Sequence, residues 1–445
     1  MFLKTKSVTL QQSWYDTNRR GALLRQQAVA IVLIAAVAFN FGLCFINTNI
    51  HQVNAAAPMA AEGAIILSAL ILLMYGPAAL FARATGLLAC LLLYFILLYV
   101  GRLALDPKPF RDLAIPIVFV VLGVAYPNPR VLNRTFAILT LFVLAVGIWE
   151  YSFLDSYLKW FNIARYFLDK GATDASLADM FSDGLSINGA RPLSQGRELL
   201  PWLLTGHRSS SIFLEPVTAG NFGAIAAAWF LHHERRVVVK CLWLAACATI
   251  IILADGRFGL LLYILAIVTY LGRRYLRVRI VAFTPVLVAV FLLVRYLLVG
   301  ENTFPNTFAG RLDYAGHLFT KIGLLDWFGV TTVRPLYDAG YAYAVTQFGL
   351  LGTVVLWVLF AAVAVSRSNR NYFINYSIIY FSLALMTSGS VYSIKASSLM
   401  WFAIGTALSS RRTTATDTNS QWTGVTIPPF LTSQVAMEGA ARRPF

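Results

Sequence analysis

Five ionisable residues interrupt segments that are otherwise apolar: Glu150, Glu215, Arg257, Arg295 and Lys395. A charge far from water is costly, so such residues line a polar cavity, pair with one another, or reach back to the membrane surface. More charge gathers around one of them. The stretch "GHRSSSIFLEPVTAGNFG" (206–223) leads from His207 and Arg208 through three serines into an apolar run, with Glu215 and Pro216 inside the boundary. Arg191 and Arg197 lie just upstream, opposed there only by Glu198. Arg257 occupies the short turn "ADGRFG", and Arg311 begins an amphipathic segment further on. Guanidinium groups present paired donors that match phosphate and carboxylate oxygens. Several of them converging from distant parts of the chain would bind a pyrophosphate or an acidic sugar; left apart, they would pair with lipid headgroups.

Other chemistry is missing. The sequence has no Asp-x-Asp, no phosphate-binding Walker loop, no His-Glu-x-x-His and no Gly-x-Ser-x-Gly. A metal-dependent nucleotide-sugar enzyme would use paired carboxylates, and none of the 13 aspartates are two residues apart. Neither a metal nor another cofactor is expected. The four cysteines, Cys44, Cys90, Cys241 and Cys247, sit in apolar runs without paired spacing. They read as small buried hydrophobes, neither a disulfide framework nor a thiolate metal site.

The elements that must position these residues are membrane helices. Hydrophobic residues make up 58% of the 445 positions and charged residues 13%, with a mean hydropathy of +0.67. Those values lie far outside the range of soluble domains. About twelve runs approach the length needed to span a bilayer. They fall near 28–46, 64–82, 84–101, 111–127, 135–153, 212–231, 237–254, 257–271, 280–299, 343–365, 372–388 and 391–408. The runs are apolar on every side, unlike the alternating strands of a membrane barrel, so an all-α bundle of about twelve transmembrane helices is expected. The fourth run is the weakest, bracketed by Pro107, Pro109, Pro127 and Pro129. "NAAAPMA" after the first run resembles a signal-peptidase site, but that run, and the segment 1–27 before it, are long for a signal peptide.

The net charge of +16 matters through its distribution. Lys4, Lys6, Arg19, Arg20 and Arg25 precede the first run, and "HHERRVVVK", "GRRYLRVR" and "SRSNRN" fall on the same side if the spans alternate. That side is expected to be the cytoplasm, with both termini there, in a multi-pass membrane protein. Nucleic acid is not an expected partner, because the charge is accounted for by topology. One basic loop, "RLALDPKPFRD" (102–112), dissents by falling outside. The body at 28–408 then has two long external loops, about 154–211 and 300–342, and residues 409–445 read as a disordered cytoplasmic tail. With this alternation all five span charges lie near the outer ends of their helices, which predicts a polar cavity opening outward. Both loops look folded onto the outer surface. "DSYLKWFNIARYFLDKG" spaces Tyr157, Trp160, Phe161, Ala164, Phe167 and Leu168 as one amphipathic helix stopped by Gly171. "GRLDYAGHLFTKIG" sets Leu312, Ala315, Phe319 and Ile322 on one arc and Asp313, Tyr314, His317 and Lys321 on another.

This arrangement resembles a known family. Many spans, a large outer loop ending in "R-S-S-S-I-F-x-E-P-x-x-x-G-N-F", a "D-G-R-F-G" turn, and a second outer loop with "A-G-R-L" then "D-A-G-Y-x-x-x-x-x-x-F-G-L-L-G" resemble the Wzy-type polysaccharide polymerases and O-antigen ligases. Within that superfamily the chain looks most like xanthan-type exopolysaccharide polymerases, over about residues 28–408. The resemblance implies transfer of a glycan from a polyprenyl pyrophosphate carrier to a sugar hydroxyl of another lipid-linked repeat unit, at the periplasmic face and without a metal. The partners it implies are the lipid-linked oligosaccharide, the growing polysaccharide, and a flippase and chain-length regulator of the same pathway. Arg208, Arg257 and Arg311 would correspond to arginines that hold pyrophosphate. His207, Arg191 and Tyr341, which stand beside the same motifs, complete the candidate substrate-binding set. Asp338 stands where ligases of this superfamily carry a histidine thought to act as base, a departure that favours a polymerase. Attack by a hydroxyl needs a general base, for which Asp338 and Glu215 are the candidates. Two other readings stay open: a ligase of the same superfamily, and a twelve-helix transporter or lipid-linked sugar flippase. Transporters built of two pseudo-symmetric halves usually have a long central cytoplasmic loop and short outer loops, the reverse of this layout.

Overall fold

The structure, a computed structural model, describes residues 3–171, 184–185, 189, 199–200, 207–299, 304, 307–331, 339–367 and 370–420, without the side chains of 3–20, 367 and 410–420. Among these residues the chain is helical, with no β-strand. The helices are α1 (Leu3–Asn49), α2 (Ala56–Met74), α3 (Ala78–Arg102), α4 (Lys108–Ala125), α5 (Pro129–Ser152), α6 (Leu154–Trp160), α7 (Ile163–Asp169), α8 (Pro216–His233) and α9 (Val237–Leu253). They continue with α10 (Arg257–Leu271), α11 (Val278–Val281), α12 (Thr284–Val299), α13 (Phe308–Lys321), α14 (Leu324–Trp327), α15 (Gly340–Arg367), α16 (Tyr372–Ala384) and α17 (Ile394–Ser420).

The twelve apolar runs fall in helical segments, though not one helix to each: the run at 280–299 covers α11 and α12. The run at 64–82 is divided, because α2 stops at Met74 and Tyr75-Gly76-Pro77 turns the chain into α3. The weak fourth run forms α4, with Pro109 in the first turn, where its missing N–H costs nothing. Six helical segments are long and apolar enough to cross a membrane by length and composition: Gly21–Asn49, α2, α3, α5, Val278–Val299 and Gly340–Ser366. Their outward faces carry the apolar surface. Leu93, Leu97, Leu297 and Leu351 are each at least 64% exposed, more apolar surface than a protein in water sustains. The chain is a membrane protein.

At the centre, α8, α16 and the described part of α17 bury nearly every residue. Small residues allow this. A Cβ on Gly123 of α4 would fall on the Phe402 carbonyl of α17, and one on Gly405 would fall on the Val120 carbonyl. At the crossing of α8 and α10, a Cβ on Gly259 would lie 2.8 Å from the Gly220 carbonyl group. Close backbone approach of this kind replaces the hydrophobic drive that lipid cannot supply.

α15 is broken at Gly349, where φ is +68° and ψ 156°, a conformation open in practice only to glycine. Two carbonyls freed by the break are taken by Arg102, at the end of α3, which donates to Thr346 O at 3.0 Å and Gln347 O at 2.8 Å, and also to Gly329 O, after α14, at 2.5 Å. Arg111, in the same dissenting loop, pairs with Glu62 at 2.5 Å and Asp112 at 2.7 Å. Arg111 is thus paired with carboxylates inside the protein, whereas Arg102 gives its donors to neutral backbone carbonyls.

The two amphipathic segments differ from expectation. Residues 155–171 form two short helices with a bend at Phe161 and Asn162, whose side chain caps α7 by accepting from Arg165 N at 2.9 Å. The bend lets both halves meet α1: Phe161 stacks on Phe41 at 4.0 Å, Asn49 donates to Trp160 O, and Tyr166 donates to Asn40. Gly171, at φ +67°, closes the segment as expected. α13 does not present its polar arc away from the protein. It runs back along α12, with Gly316 against Leu292 and Tyr296, Arg295 Nη2 donating to Asp313 Oδ2 at 3.0 Å, and His317 Nδ1 2.6 Å from Tyr296 Oη. Leu312 and Ala315 are buried as the arc predicts, but Asp313 is buried with them, because its partner is on the neighbouring helix. α17 continues to Ser420, past the expected boundary at 408, and 421–445 lie outside the described residues.

Gly405→Ala should lower the thermal midpoint of the detergent-purified protein, since the added methyl meets backbone that cannot move aside, a clash of about 1–3 kcal/mol or more. Gly63→Ala, where a Cβ would meet nothing within 4 Å, should leave the midpoint almost unchanged. Equal midpoints in the two variants would contradict the α4–α17 crossing.

Candidate functional site

The last turn of α5 carries Glu150, which is fully buried. Its carboxylate accepts from Ser209 Oγ at 2.9 Å, Ser210 N at 2.9 Å, Ser210 Oγ at 3.1 Å and Ser211 N at 2.6 Å. Ser210 is right-handed (φ −94°, ψ −20°) and Ser211 has φ +50°. That alternation turns successive N–H groups to one side and makes a small anion-binding nest. The serines of "R-S-S-S-I-F" therefore bind a carboxylate of the protein itself. Sequence reasoning singled out Glu150 as a span charge but did not connect it to the serines. The available signal was the count of donors that a buried carboxylate must find.

The same segment grips the "ADGRFG" turn. Ser209 N donates to Leu253 O at 2.9 Å, and Arg208 donates through Nε to Ala254 O at 3.1 Å and through Nη2 to Asp255 O at 3.2 Å. These are the carbonyls left open at the end of α9, which a cation satisfies well. Gly220 of α8 packs against Gly256 and Gly259 on the other side of the turn. Ser211, Leu214 (φ +60°) and Asp255 (φ +42°) are three of the four non-glycine residues with positive φ among those described, so backbone strain concentrates in this unit.

Arg257, in the first position of α10, is exposed. Arg311 lies half-buried in the first turn of α13. The rings of Phe258 and Phe308 are 6.3 Å apart, so the helix starts that carry these two arginines are neighbours. His207 sits 5.6 Å from the Tyr151 ring with Nε2 buried, and burial holds its imidazole below the usual pKa, toward the neutral form. Tyr341 is buried and donates to Ser382 O at 2.9 Å, an internal contact. Arg191 and Asp338 lie outside the described residues.

Glu215 stands at the N-terminus of α8, and its partner is neither Arg208 nor Arg257. Oε1 accepts from Lys395 Nζ at 3.0 Å and Oε2 from Thr218 Oγ1 at 2.9 Å. The Lys395 side chain is only 10% exposed, whereas that of Glu215 is 36% exposed, so the carboxylate is the accessible end of the pair. Beside it runs a second network: Glu62 and Asp112 hold Arg111, and Tyr343 donates to Asp112 Oδ2 at 2.6 Å. Lys170, just after α7, lies over Phe167 at 3.9 Å and Tyr166 at 4.7 Å. Burial, with the positive charge of Lys395, lowers its pKa to about 8, against the opposing effect of Glu215, Cys44 and Glu62.

The five span charges thus gather at one end of the bundle, but they do not line one common cavity. Glu150 is enclosed by serines, Glu215 pairs with Lys395, Arg295 pairs with Asp313, and Arg257 is exposed. Pairing is the less costly arrangement, because a lone buried charge keeps its full desolvation penalty. Among the described residues no three His, Cys, Asp or Glu are grouped to hold a metal. What the arrangement offers chemically is an accessible carboxylate steadied by an ammonium, beside a turn that displays a guanidinium.

Glu150→Ala would strand four buried donors, at a cost of about 3 kcal/mol or more, while Glu150→Gln keeps one acceptor oxygen. Thermal midpoints in detergent should fall in the order wild type, Glu150→Gln, Glu150→Ala. An alanine variant as stable as wild type would mean the serine nest does not hold this carboxylate.

Comparison with protein families, curated proteins and solved structures finds no match to this chain.

Proposed function

We propose that the protein is an exopolysaccharide polymerase, which moves a glycan from a polyprenyl pyrophosphate carrier to a sugar hydroxyl of a second lipid-linked repeat unit. The observation that carries this reading is the union of the two segments on which the family resemblance rests. "R-S-S-S-I-F-x-E-P" and "D-G-R-F-G" meet through Arg208, Ser209 and the Gly220–Gly259 contact, at the end of the bundle that also holds the Glu215–Lys395 pair. On this reading the chain crosses a bacterial inner membrane twelve times with both termini in the cytoplasm. Its long connections at about 154–211 and 300–342 lie on the periplasmic face. A flippase would deliver the substrate and a chain-length regulator would act on the product.

The acceptor hydroxyl oxygen attacks the anomeric carbon, the bond from that carbon to the pyrophosphate oxygen breaks, and the pyrophosphate departs with the electron pair. The hydroxyl proton passes to a carboxylate, Glu215 or Asp338. Pyrophosphate is a good leaving group, so the protein's main task is to neutralise charge that grows on it, in a site poor in water. Arg257 and Arg311, on adjacent helix starts, are candidates for that contact. Arg208 acts by holding the turn on which Arg257 stands.

Two outcomes test the reading. Reporter fusions near residues 180 and 320 should face the periplasm and those near 235, 275 and 368 the cytoplasm; a cytoplasmic signal at 180 would remove the site assignment. Asp338→Asn should abolish polymer while donor remains bound, because an amide oxygen is a far weaker base of nearly the same shape. Glu215→Gln should instead weaken donor binding more than turnover if Glu215 only orients cations. The reverse pattern, elongation intact in Asp338→Asn and lost in Glu215→Gln at unchanged donor binding, would make Glu215 the base.

A further inference from the structure

α14 is built the wrong way round for a surface helix in water. Its acidic residue, Asp326, is buried and accepts from Gly323 N at 2.9 Å and from the Thr331 hydroxyl. Its apolar residues are turned out instead: Leu324, Leu325 and, just after the helix, Phe328 are each at least 61% exposed. The turn after α3 is alike. Leu103 and Leu105 are at least 81% exposed, and this turn adjoins α14, because a Cβ on Gly101 would lie 2.9 Å from Val330 Cγ1 and Arg102 donates to Gly329 O.

The surroundings say what covers this patch. Leu93, Leu97, Val100 and Leu103, all exposed, follow one another at helical spacing, so the stripe that α3 turns to lipid runs directly into the patch. On α15 the change comes at Gly349. Residues 339–349 are nearly all buried in protein, whereas Leu350, Leu351, Val354, Val355 and Val358 beyond the break are exposed. Backbone freed by a break cannot face lipid, and the chain after α14 lies over it. A Cβ on Gly329 would be 2.9 Å from Gly349 N, and one on Gly349 would be 3.0 Å from Phe328 O. The patch therefore stands at the level where α15 first meets lipid.

We propose that α14 and the turn at 103–105 form a membrane-interface anchor, with Leu103, Leu105, Leu324, Leu325 and Phe328 set among lipid chains at their boundary with the headgroups. From that boundary, α15 residues 350–366 rise about 25 Å, most of a hydrocarbon core of about 30 Å. Lys321, exposed at the end of α13 and three residues before Leu324, extends its ammonium to the headgroups. The first half of α15, with Tyr343 bonded to Asp112, then stands clear of the hydrocarbon. The bilayer holds Gly329 against Gly349 and so closes the break, whatever reaction the protein carries out.

The test uses the full chain in phosphatidylcholine nanodiscs, with the exposed Cys90 and Cys241 replaced by alanine. Nitroxide labels on Leu325→Cys and Leu103→Cys, in separate proteins, report collisions with oxygen, which concentrates in lipid, and with a nickel chelate, which stays in water. The oxygen-to-nickel ratio at both positions should exceed that of a label on Lys321→Cys and approach that of one on Leu351→Cys, which faces lipid on α15. A ratio at either position no higher than at 321 would leave that segment in water and overturn the proposal. So would few collisions with either reagent, since a second copy of the chain or another protein would then cover the patch. The two labels stand on separate segments, so if one variant loses the native thermal midpoint the other decides.

Discussion

Glu150 has no exposed surface and closes an apolar helix, so its carboxylate has to be answered by donors from elsewhere in the chain. Ser209, Ser210 and Ser211 supply them, at the cost of a left-handed backbone at Ser211 and another at Leu214. Much follows from that one satisfied group. Fixing residues 209–211 sets where α8 begins, and therefore where Glu215 stands. It also aims Arg208 at the end of α9 and so holds the turn that starts α10 with Arg257. Strain of a few kcal/mol in this unit is tolerable because the alternative is a buried carboxylate with no partners.

The same constraint selects the neighbours of the other helices. Packing among apolar side chains discriminates poorly when lipid is as apolar as they are, whereas a polar pair has one satisfactory partner. Glu215 ties α8 to α17, Glu62 ties α2 to α4, Asp112 ties α4 to α15, Arg102 ties α3 to the broken α15, and Arg295 ties α12 to α13. All of these ties lie at one end of the bundle. Lys170 differs from these, since among the described residues its ammonium meets the rings of Phe167 and Tyr166 and no oxygen.

Hydropathy made the helices legible, even the proline-bracketed α4, because the cost of unbonded backbone in lipid leaves helix as the answer for a long apolar run. The gathering of Glu150, Glu215, Arg257, Arg295 and Lys395 at one end was legible from alternation alone. Their partners were not. Glu215 and Lys395 are 180 positions apart, and nothing local to either residue names the other. Periodicity put Asp313 and His317 on a polar arc apart from Leu312 and Ala315, but it registers polarity alone and cannot see Arg295 and Tyr296 on α12. The bend at Asn162 was missed for a related reason: the apolar spacing of 157–168 suits one helix, and only contact with α1 favours two. The partners of Arg102 and Arg111, the carbonyls of Thr346 and Gln347 and the carboxylate of Glu62, are likewise remote in sequence.

The central claim is that these matched charges surround a site for glycan transfer from a lipid pyrophosphate. It is tested most directly by incubating the purified protein with a polyprenyl-pyrophosphate-linked repeat unit and resolving the products on a gel. The account predicts a ladder of chain lengths spaced by one repeat, made without added metal and released from the carrier by mild acid, as expected for glycan still joined to pyrophosphate. Substrate recovered unchanged from protein that keeps its native thermal midpoint, or simply moved across the membrane of a sealed vesicle, would contradict it.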